Sequence, residues 1–267
     1  MVGFHGVSIE ARKVSLSLGD RRVLTEIDLR IEAGDFFCLL GPSGAGKTSV
    51  LDAAVEQIRR GNYPFSRVIQ VDASPIGRSP RSNAATYTGA FDWIRDLFSS
   101  LPDSKDRGFG KGHFSFNTVG GRCEACEGAG LVEIGMRYLG TVELVCERCG
   151  GKRFHDDVLS VRYREKTISD VLEMSVGEAL ELFSDHPKLR RVLSALSSVG
   201  LGYLSLGQSA MGISGGEAQR IKLTTELLKA GKGGCLIALD EPTTGLHPLD
   251  VQVLARNLHE LVAAGHT

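Results

Sequence analysis

Residues Gly41-Pro42-Ser43-Gly44-Ala45-Gly46-Lys47-Thr48, followed by Ser49, satisfy the pattern G-x-x-x-x-G-K-[ST] and constrain the fold more than any other stretch of the chain. The pattern is expected where a buried strand ends, a glycine-rich turn follows and a helix begins. There, successive backbone N–H groups turn inward around phosphates, the positive helix end adds to them, and the lysine brings a point charge. The flanks meet the requirement. Phe36-Phe37-Cys38-Leu39-Leu40 reads as a strand buried on both faces, and Val50, Leu51, Ala54, Val55 and Ile58 share one helical face that Gly61 stops. Residues 41–49 are therefore expected to cradle ATP, with Lys47 on the outer phosphates and Thr48 on Mg²⁺. A glycine-rich structural turn is the plain alternative.

Such a loop needs an acidic partner, and the apolar run Cys235–Leu239 ends in Asp240-Glu241. Asp240 is expected to bind Mg²⁺, directly or through water, and Glu241 to polarise the attacking water as general base. A solvated acid pair is the competing reading. Ser214 with Glu217 makes a capping box ahead of a helix over residues 218–230. With Gly215 and Gly216 it offers exposed amides and a dipole, a second anion site, against a generic capped helix start.

Two Cys-x-x-Cys pairs, Cys123/Cys126 and Cys146/Cys149, are spaced as in a four-thiolate Zn²⁺ site. Gly128, Gly130, Gly150 and Gly151 allow the tight knuckles, and no open coordination position is implied, so the metal is expected to be structural. Redox pairs or free buried thiols are the alternatives. Cys38 and Cys235 fall in apolar runs and are expected in the core.

The 267 residues suit one ATPase-sized core with an elaboration, or two small domains. Lys and Arg total 31 against 32 Asp and Glu, which excludes a wholly basic nucleic-acid binder and an acidic disordered chain but permits local patches. No apolar run approaches the roughly 18 residues that span a bilayer, and the N-terminus lacks a signal-like segment, so a cytoplasmic location is expected. Residues 7–31 alternate and break at Gly19-Asp20, as in a hairpin, and residues 68–71 read as a strand before a loop over 74–83. Residues 131–138 and 141–145 look strand-like between the cysteine pairs. A capping box at Ser175 and Glu178 opens a helix to about Phe183, and Asp185 with Pro187 opens another ending at Gly200.

Ile213-Ser214-Gly215-Gly216-Glu217-Ala218-Gln219-Arg220 resembles the signature motif of ABC ATPases, and Glu241 to Asp250 resembles their Walker B to D-loop continuation. In that family the signature closes over ATP held by an opposite domain, so the resemblance implies a second ABC half or a homodimer. Residues 71–83, 85–89, Phe114-Ser-Phe-Asn117, Gly120 to Cys126 and Val199 to Tyr203 resemble the C-terminal half of the UvrA family. The likeness covers residues 68–267. It implies ATP-controlled, sequence-independent inspection of double-stranded DNA in nucleotide excision repair, with lesions handed to a UvrB-like helicase subunit.

Departures accompany the likeness. Residues 8–52 look more like a transporter-type ABC domain, Ala73 stands where the Q-loop glutamine is placed, and no aromatic lies near Leu18 for adenine stacking. The chain stops at Gly265-His266-Thr267, before the last core strand and the switch histidine, and His266 comes too early to be that residue.

The expected architecture is an α/β ABC-type ATPase core, residues 1–82 and 205–267, interrupted by a signature and zinc region over 83–204. Residues 59–111 hold nine Lys/Arg against five Asp/Glu, and Arg78, Arg81, Lys111 and Arg122 are candidates for DNA phosphate contacts, with a solvated basic face as the alternative. The rival functions are a nucleotide-binding subunit of an ABC exporter and a catalytically degenerate ATP-binding regulator.

Overall fold

The computed structural model describes residues 8–267 except 19, 33, 43, 62, 64, 137–139, 230–233, 245 and 247. In chain order the elements begin with β1 (Ile9–Leu18), β2 (Arg21–Ile31), α1 (Lys47–Arg60) and β3 (Arg67–Val71). Next come α2 (Ala84–Thr88), α3 (Ala90–Ser100), α4 (Pro102–Asp106), β4 (Leu131–Met136), β5 (Gly140–Val145) and α5 (Asp156–Leu159). Then follow α6 (Ile168–Glu173), α7 (Val176–Leu182), α8 (Pro187–Leu196), α9 (Gly215–Lys229), β6 (Cys235–Leu239) and α10 (Pro248–Ala263). The chain divides into two compact units: the first ends at Ser74 and resumes at Lys222, and the second is Pro75–Ile221.

In unit one, β1 and β2 form the antiparallel hairpin, with Leu18 opposite Arg21; Gly19 lies outside the described residues. β3 pairs in parallel with β6, from Arg67 opposite Cys235 to Val71 opposite Leu239. The pair is covered on both faces, as its near-continuous apolar composition requires. Ile69, Val71 and Cys235 pack with Leu223 of α9 and with Leu254 and Leu258 of α10. Leu236 joins Ile9 and Ile58, with Val68 partly buried beside them, so α1 and β1 serve the other side.

The expected strand at Phe36–Leu40 is not formed. Residues 35–42 have no regular structure, and Leu40 is 84% exposed. Cys38 is accordingly exposed and only Cys235 is core. An apolar run expresses a tendency to be buried, but a parallel strand also needs a neighbour's ladder, and among the described residues β3 bonds only β6. Phe36 instead packs against the His259 ring of α10 in a tilted arrangement, with centroids 5.2 Å apart.

The chain end lies along the start of β6: Thr267 N–H donates to Cys235 O at 2.9 Å, and Ile237 N–H donates to Thr267 O at 2.8 Å. His266 is 4% exposed, and burial holds its pKa below the usual histidine value. It sits at the opposite end of this 5-residue strand from Asp240.

Unit two is built on aromatic and aliphatic side chains that are fully buried, among them Phe98, Phe114, Phe116, Phe154 and Phe183. α7 opens on the expected capping box, with Ser175 Oγ accepting from Glu178 N–H at 3.2 Å. α8 does not use Asp185: its N-cap is His186 without a side-chain bond, Pro187 fills the first helical position, and Asp185 pairs with Arg164 at 2.7 Å. α8 ends at Leu196, and a wide turn over Ser197–Leu201 carries the chain on, with Gly200 at φ 78°. Helices α2, α3, α4, α5 and α10 were not expected.

Candidate phosphate site and thiolate centre

The phosphate loop occupies unit one between the irregular segment 35–42 and α1. Gly44 and Gly46 have φ of 80° and 83°, the left-handed region that a Cβ makes costly, so the two glycines are needed for the turn itself. Gly46 is the N-cap of α1 and the first helical bond runs from Val50 N–H to Gly46 O at 2.9 Å. The amides ahead of it are the unsatisfied donors of a helix start. Gly41, Pro42, Gly44 and Ala45 are exposed, Gly46, Lys47 and Ser49 half-buried, and Ser43 lies outside the described residues.

Lys47 Nζ folds back over this loop, donating to Gly41 O at 2.9 Å and Pro42 O at 3.0 Å, and stands 4.0 Å from Glu241 Oε1. Thr48 Oγ1 donates to both oxygens of Asp240, at 3.0 and 3.2 Å. Residues nearly two hundred positions apart are thus brought together because β6 delivers its C-terminal end beside the start of α1. A hydroxyl and a carboxylate are hard oxygen donors that suit Mg²⁺, and a lysine at a helix N-terminus suits phosphate. The donor set therefore fits Mg²⁺ with a nucleoside triphosphate.

Glu241 adopts φ 44°, a conformation unfavourable for a residue with a Cβ, and its side chain is 57% exposed. Thr244 N–H holds Glu241 O at 3.0 Å, and Thr244 Oγ1 donates to Glu241 Oε2 at 3.3 Å. The turn presents the carboxylate to solvent next to Lys47, where a water can reach it.

Asp72, just past the end of β3, receives Lys222 Nζ at 2.5 Å and Ser74 Oγ at 2.6 Å. These partners hold its pKa at about 2, below the ordinary 3.8. A carboxylate depressed in the folded state adds stability that is complete above the ordinary value and lost as pH falls through the depressed one. Because the side chain is 63% exposed, screening leaves a contribution on the order of 1 kcal/mol. Asp72→Asn is expected to lower Tm by about 2–4 °C near neutral pH, with the gap closing as pH falls from 4 towards 2. Thermal melts across that range read the difference, and a gap independent of pH would contradict the ion-pair assignment.

In unit two, Ser214 N–H donates to Glu217 Oε2 at 2.8 Å, and Ser214 Oγ accepts from Glu217 N–H at 3.3 Å, so the capping box at the head of α9 is present. Ala218 N–H donates to Ser214 O at 2.9 Å; the amides of Gly215 and Gly216 precede that first helical bond. Two residues that sequence reasoning did not single out secure this end. Tyr203 Oη donates to Glu217 Oε1 at 2.7 Å, and the buried Arg220 donates to Val199 O at 3.1 Å and Gly216 O at 3.3 Å. Burial pushes the Glu217 carboxyl upward, but Tyr203, both Ser214 donors and Arg220 together bring it below the usual range.

The four cysteines Cys123, Cys126, Cys146 and Cys149 are buried, with all Sγ atoms within 4.8 Å of one another. Sγ of Cys123 lies 4.0 Å from that of Cys146, and Sγ of Cys126 lies 3.7 Å from that of Cys149. Four sulfurs about 2.3 Å from a tetrahedral Zn²⁺ would be about 3.8 Å apart, so the cluster has the size zinc requires. Gly128 has φ 79° and packs so tightly that a Cβ would lie 1.8 Å from Phe116 O. Gly130 N–H donates to Cys126 Sγ at 3.3 Å, the bond that stabilises a metal-bound thiolate. Burial pushes the Cys149 thiol up to about 12 and raises Cys126 as well, whereas the Cys149 amide lowers Cys146. A bound cation would reverse that cost of burial.

No protein-family model matches the chain. Curated relatives do. UvrABC system protein A of Thermus thermophilus is 50% identical over 261 residues, covering 91% of this chain and 27% of that protein. Those of Methanothermobacter thermautotrophicus and Aquifex aeolicus are 46% and 47% identical over 91% of this chain. This chain is a homologue of UvrABC system protein A. The crystal structure of UvrA2 from Deinococcus radiodurans is similar with a TM-score of 0.89 and 45% identity, over 99% of this chain and 33% of that one. The chain thus spans about a quarter to a third of the length of these relatives. Kinship agrees with an α/β ABC-type ATPase core carrying a four-cysteine module.

The candidate phosphate-contacting cations differ in their surroundings. Lys111 pairs with Asp96 at 2.8 Å and Arg122 with Glu124 at 3.3 Å, so both are already neutralised locally. Arg81 reaches Glu127 O at 3.4 Å. No described helix is long and apolar enough to cross a membrane.

Proposed function

We propose that this chain is an ATP-binding and ATP-hydrolysing segment of UvrA type, whose nucleotide state governs sequence-independent contact with double-stranded DNA in nucleotide excision repair. The observation that carries the reading is the convergence of Lys47, Thr48, Asp240 and Glu241 in a homologue of UvrABC system protein A. In it, residues 41–49 hold the phosphates, and Thr48 and Asp240 would hold Mg²⁺, which when bound would supply positive charge to the phosphoryl oxygens. Lys47 leaves the Gly41 and Pro42 carbonyls for the outer phosphates, and Glu241 orients and deprotonates the attacking water.

Ser214, Gly215, Gly216 and Glu217 complete a second chain's site, so two such modules are needed for turnover. The zinc module within residues 83–204 is then the element carried by that closure, with a UvrB-like helicase subunit as the later partner. A cytoplasmic location fits this function.

Fluorescence anisotropy of a labelled duplex, with Mg²⁺ and a non-hydrolysable ATP analogue, tests the reading. Retention should depend on nucleotide, ignore base sequence, and weaken with salt at a slope of about −0.9 per phosphate contacted. Turnover per chain should rise with chain concentration. Retention indifferent to nucleotide and salt would contradict the proposal.

A further inference from the structure

Lys222 belongs to none of the motifs above, yet its ammonium is one of the most engaged cations in unit one. It lies on α9 at the residue where the chain re-enters that unit, and its side chain is 15% exposed. It donates to Asp72 Oδ1 at 2.5 Å, to Asp72 O at 3.4 Å and to Ser74 Oγ at 2.5 Å. Ser74 is the last residue before the other crossing, into Pro75. One cation therefore fastens the two segments of unit one from which unit two departs and to which it returns. Ala73, between the two acceptors, contributes no polar side chain.

The same cation is connected to the phosphate site through the sheet. Asp72 directly follows Val71, the final residue of β3, and Val71 O accepts from Asp240 N–H at 3.4 Å. Asp240 in turn receives the Thr48 hydroxyl. The path from Lys222 runs through one carboxylate, one strand end and one backbone bond to the Mg²⁺-binding pair.

We propose that Lys222 is a positioning residue: through Asp72 and the end of β3 it sets the Asp240 carboxylate for Mg²⁺, and through Ser74 it ties that setting to both crossings of unit two. It touches no reacting atom. The proposal rests on the nucleotide reading above. Its consequence is that occupancy of Thr48 and Asp240 is felt as ordering of residues 72–76 and 219–224.

Hydrogen exchange with and without Mg²⁺ and a non-hydrolysable ATP analogue tests it, alongside Mg²⁺ titration of a fluorescent ATP analogue. In the unsubstituted chain, exchange should slow about tenfold at 41–48 and also at 72–76 and 219–224. Lys222→Met should keep protection at 41–48, lose it at both crossings, and raise the half-saturating Mg²⁺ concentration about tenfold while leaving Mg²⁺-free nucleotide affinity unchanged. Lys222→Arg should restore part of each effect, which a merely structural role would not require. Asp72→Asn, which is isosteric, should reproduce the losses in weaker form and carries the test if the Met variant does not fold. Crossings that stay protected in Lys222→Met and in Asp72→Asn, or an unchanged Mg²⁺ titration, would overturn the role of Lys222. Absence of protection at 41–48 in the unsubstituted chain would instead overturn the nucleotide assignment, and this role with it.

Discussion

Cys146→Ser is expected to strip the chain of its zinc and to unfold the segment around the knuckles. Apparent zinc-binding energies of about 10–16 kcal/mol in small four-ligand sites are folding energies, as large as the whole stability of a typical domain, about 5–15 kcal/mol. Here the four sulfurs are buried together, and without a cation the cluster must hold neutral thiols or pay for buried thiolates. Burial pushes the Cys149 thiol up to about 12, so the pocket opposes a thiolate unless a cation is bound beside it. The backbone around the cysteines also depends on the cluster: Cys123 N–H donates to Arg153 O at 2.8 Å and Cys146 N–H to Gly130 O at 3.0 Å. Metal analysis should give about one zinc per chain, and close to none after the substitution. Nucleotide binding at unit one should survive, because no cysteine of the cluster belongs to that unit. A Cys146→Ser protein that keeps its zinc and its unit-two melting transition would refute the assignment.

The second large effect is expected at Glu241. Glu241→Gln preserves size and can still accept from Thr244, but it removes the base, so turnover should fall by about 10²–10⁴-fold while nucleotide is retained. The left-handed backbone at Glu241 is unchanged by this substitution, so the loss would report chemistry rather than the turn. Steady-state hydrolysis at chain concentrations that support turnover measures it. Hydrolysis undiminished in Glu241→Gln would assign the base elsewhere. The lysine separates binding from chemistry: Lys47→Ala should lose the nucleotide itself, because its ammonium, folded over the loop onto Gly41 O and Pro42 O, is the charge that meets the outer phosphates.

These sites were legible in the sequence to different depths. The phosphate loop, the acid pair, the signature capping box and the cysteine spacing could be read directly, because each depends on local residue types at fixed intervals. The strand expected at Phe36–Leu40 failed for the opposite reason: whether an apolar run joins a sheet is decided by a partner far along the chain. α3 was missed although Phe91, Ile94 and Phe98 recur on one helical face and Asn83 with Thr86 caps α2 just ahead of it. The Pro, Ser and Arg residues of 74–83 just ahead carry a loop signal that masks the helix start. Tyr203, Arg220 and Lys222 could not have been found by pattern, since what each one does depends on partners 14, 21 and 150 residues away. Kinship with UvrABC system protein A was legible from strings such as residues 71–83 and 199–203, and identities of 46–50% bear it out.

The most direct measurement is calorimetric titration of the chain with a non-hydrolysable ATP analogue, in Mg²⁺ and in chelator, repeated on Asp240→Asn. The account predicts one nucleotide per chain, with affinity falling at least about tenfold when either Mg²⁺ or the Asp240 carboxylate is removed. Binding of equal strength in chelator and in Asp240→Asn, or no binding at all with Mg²⁺, would contradict it.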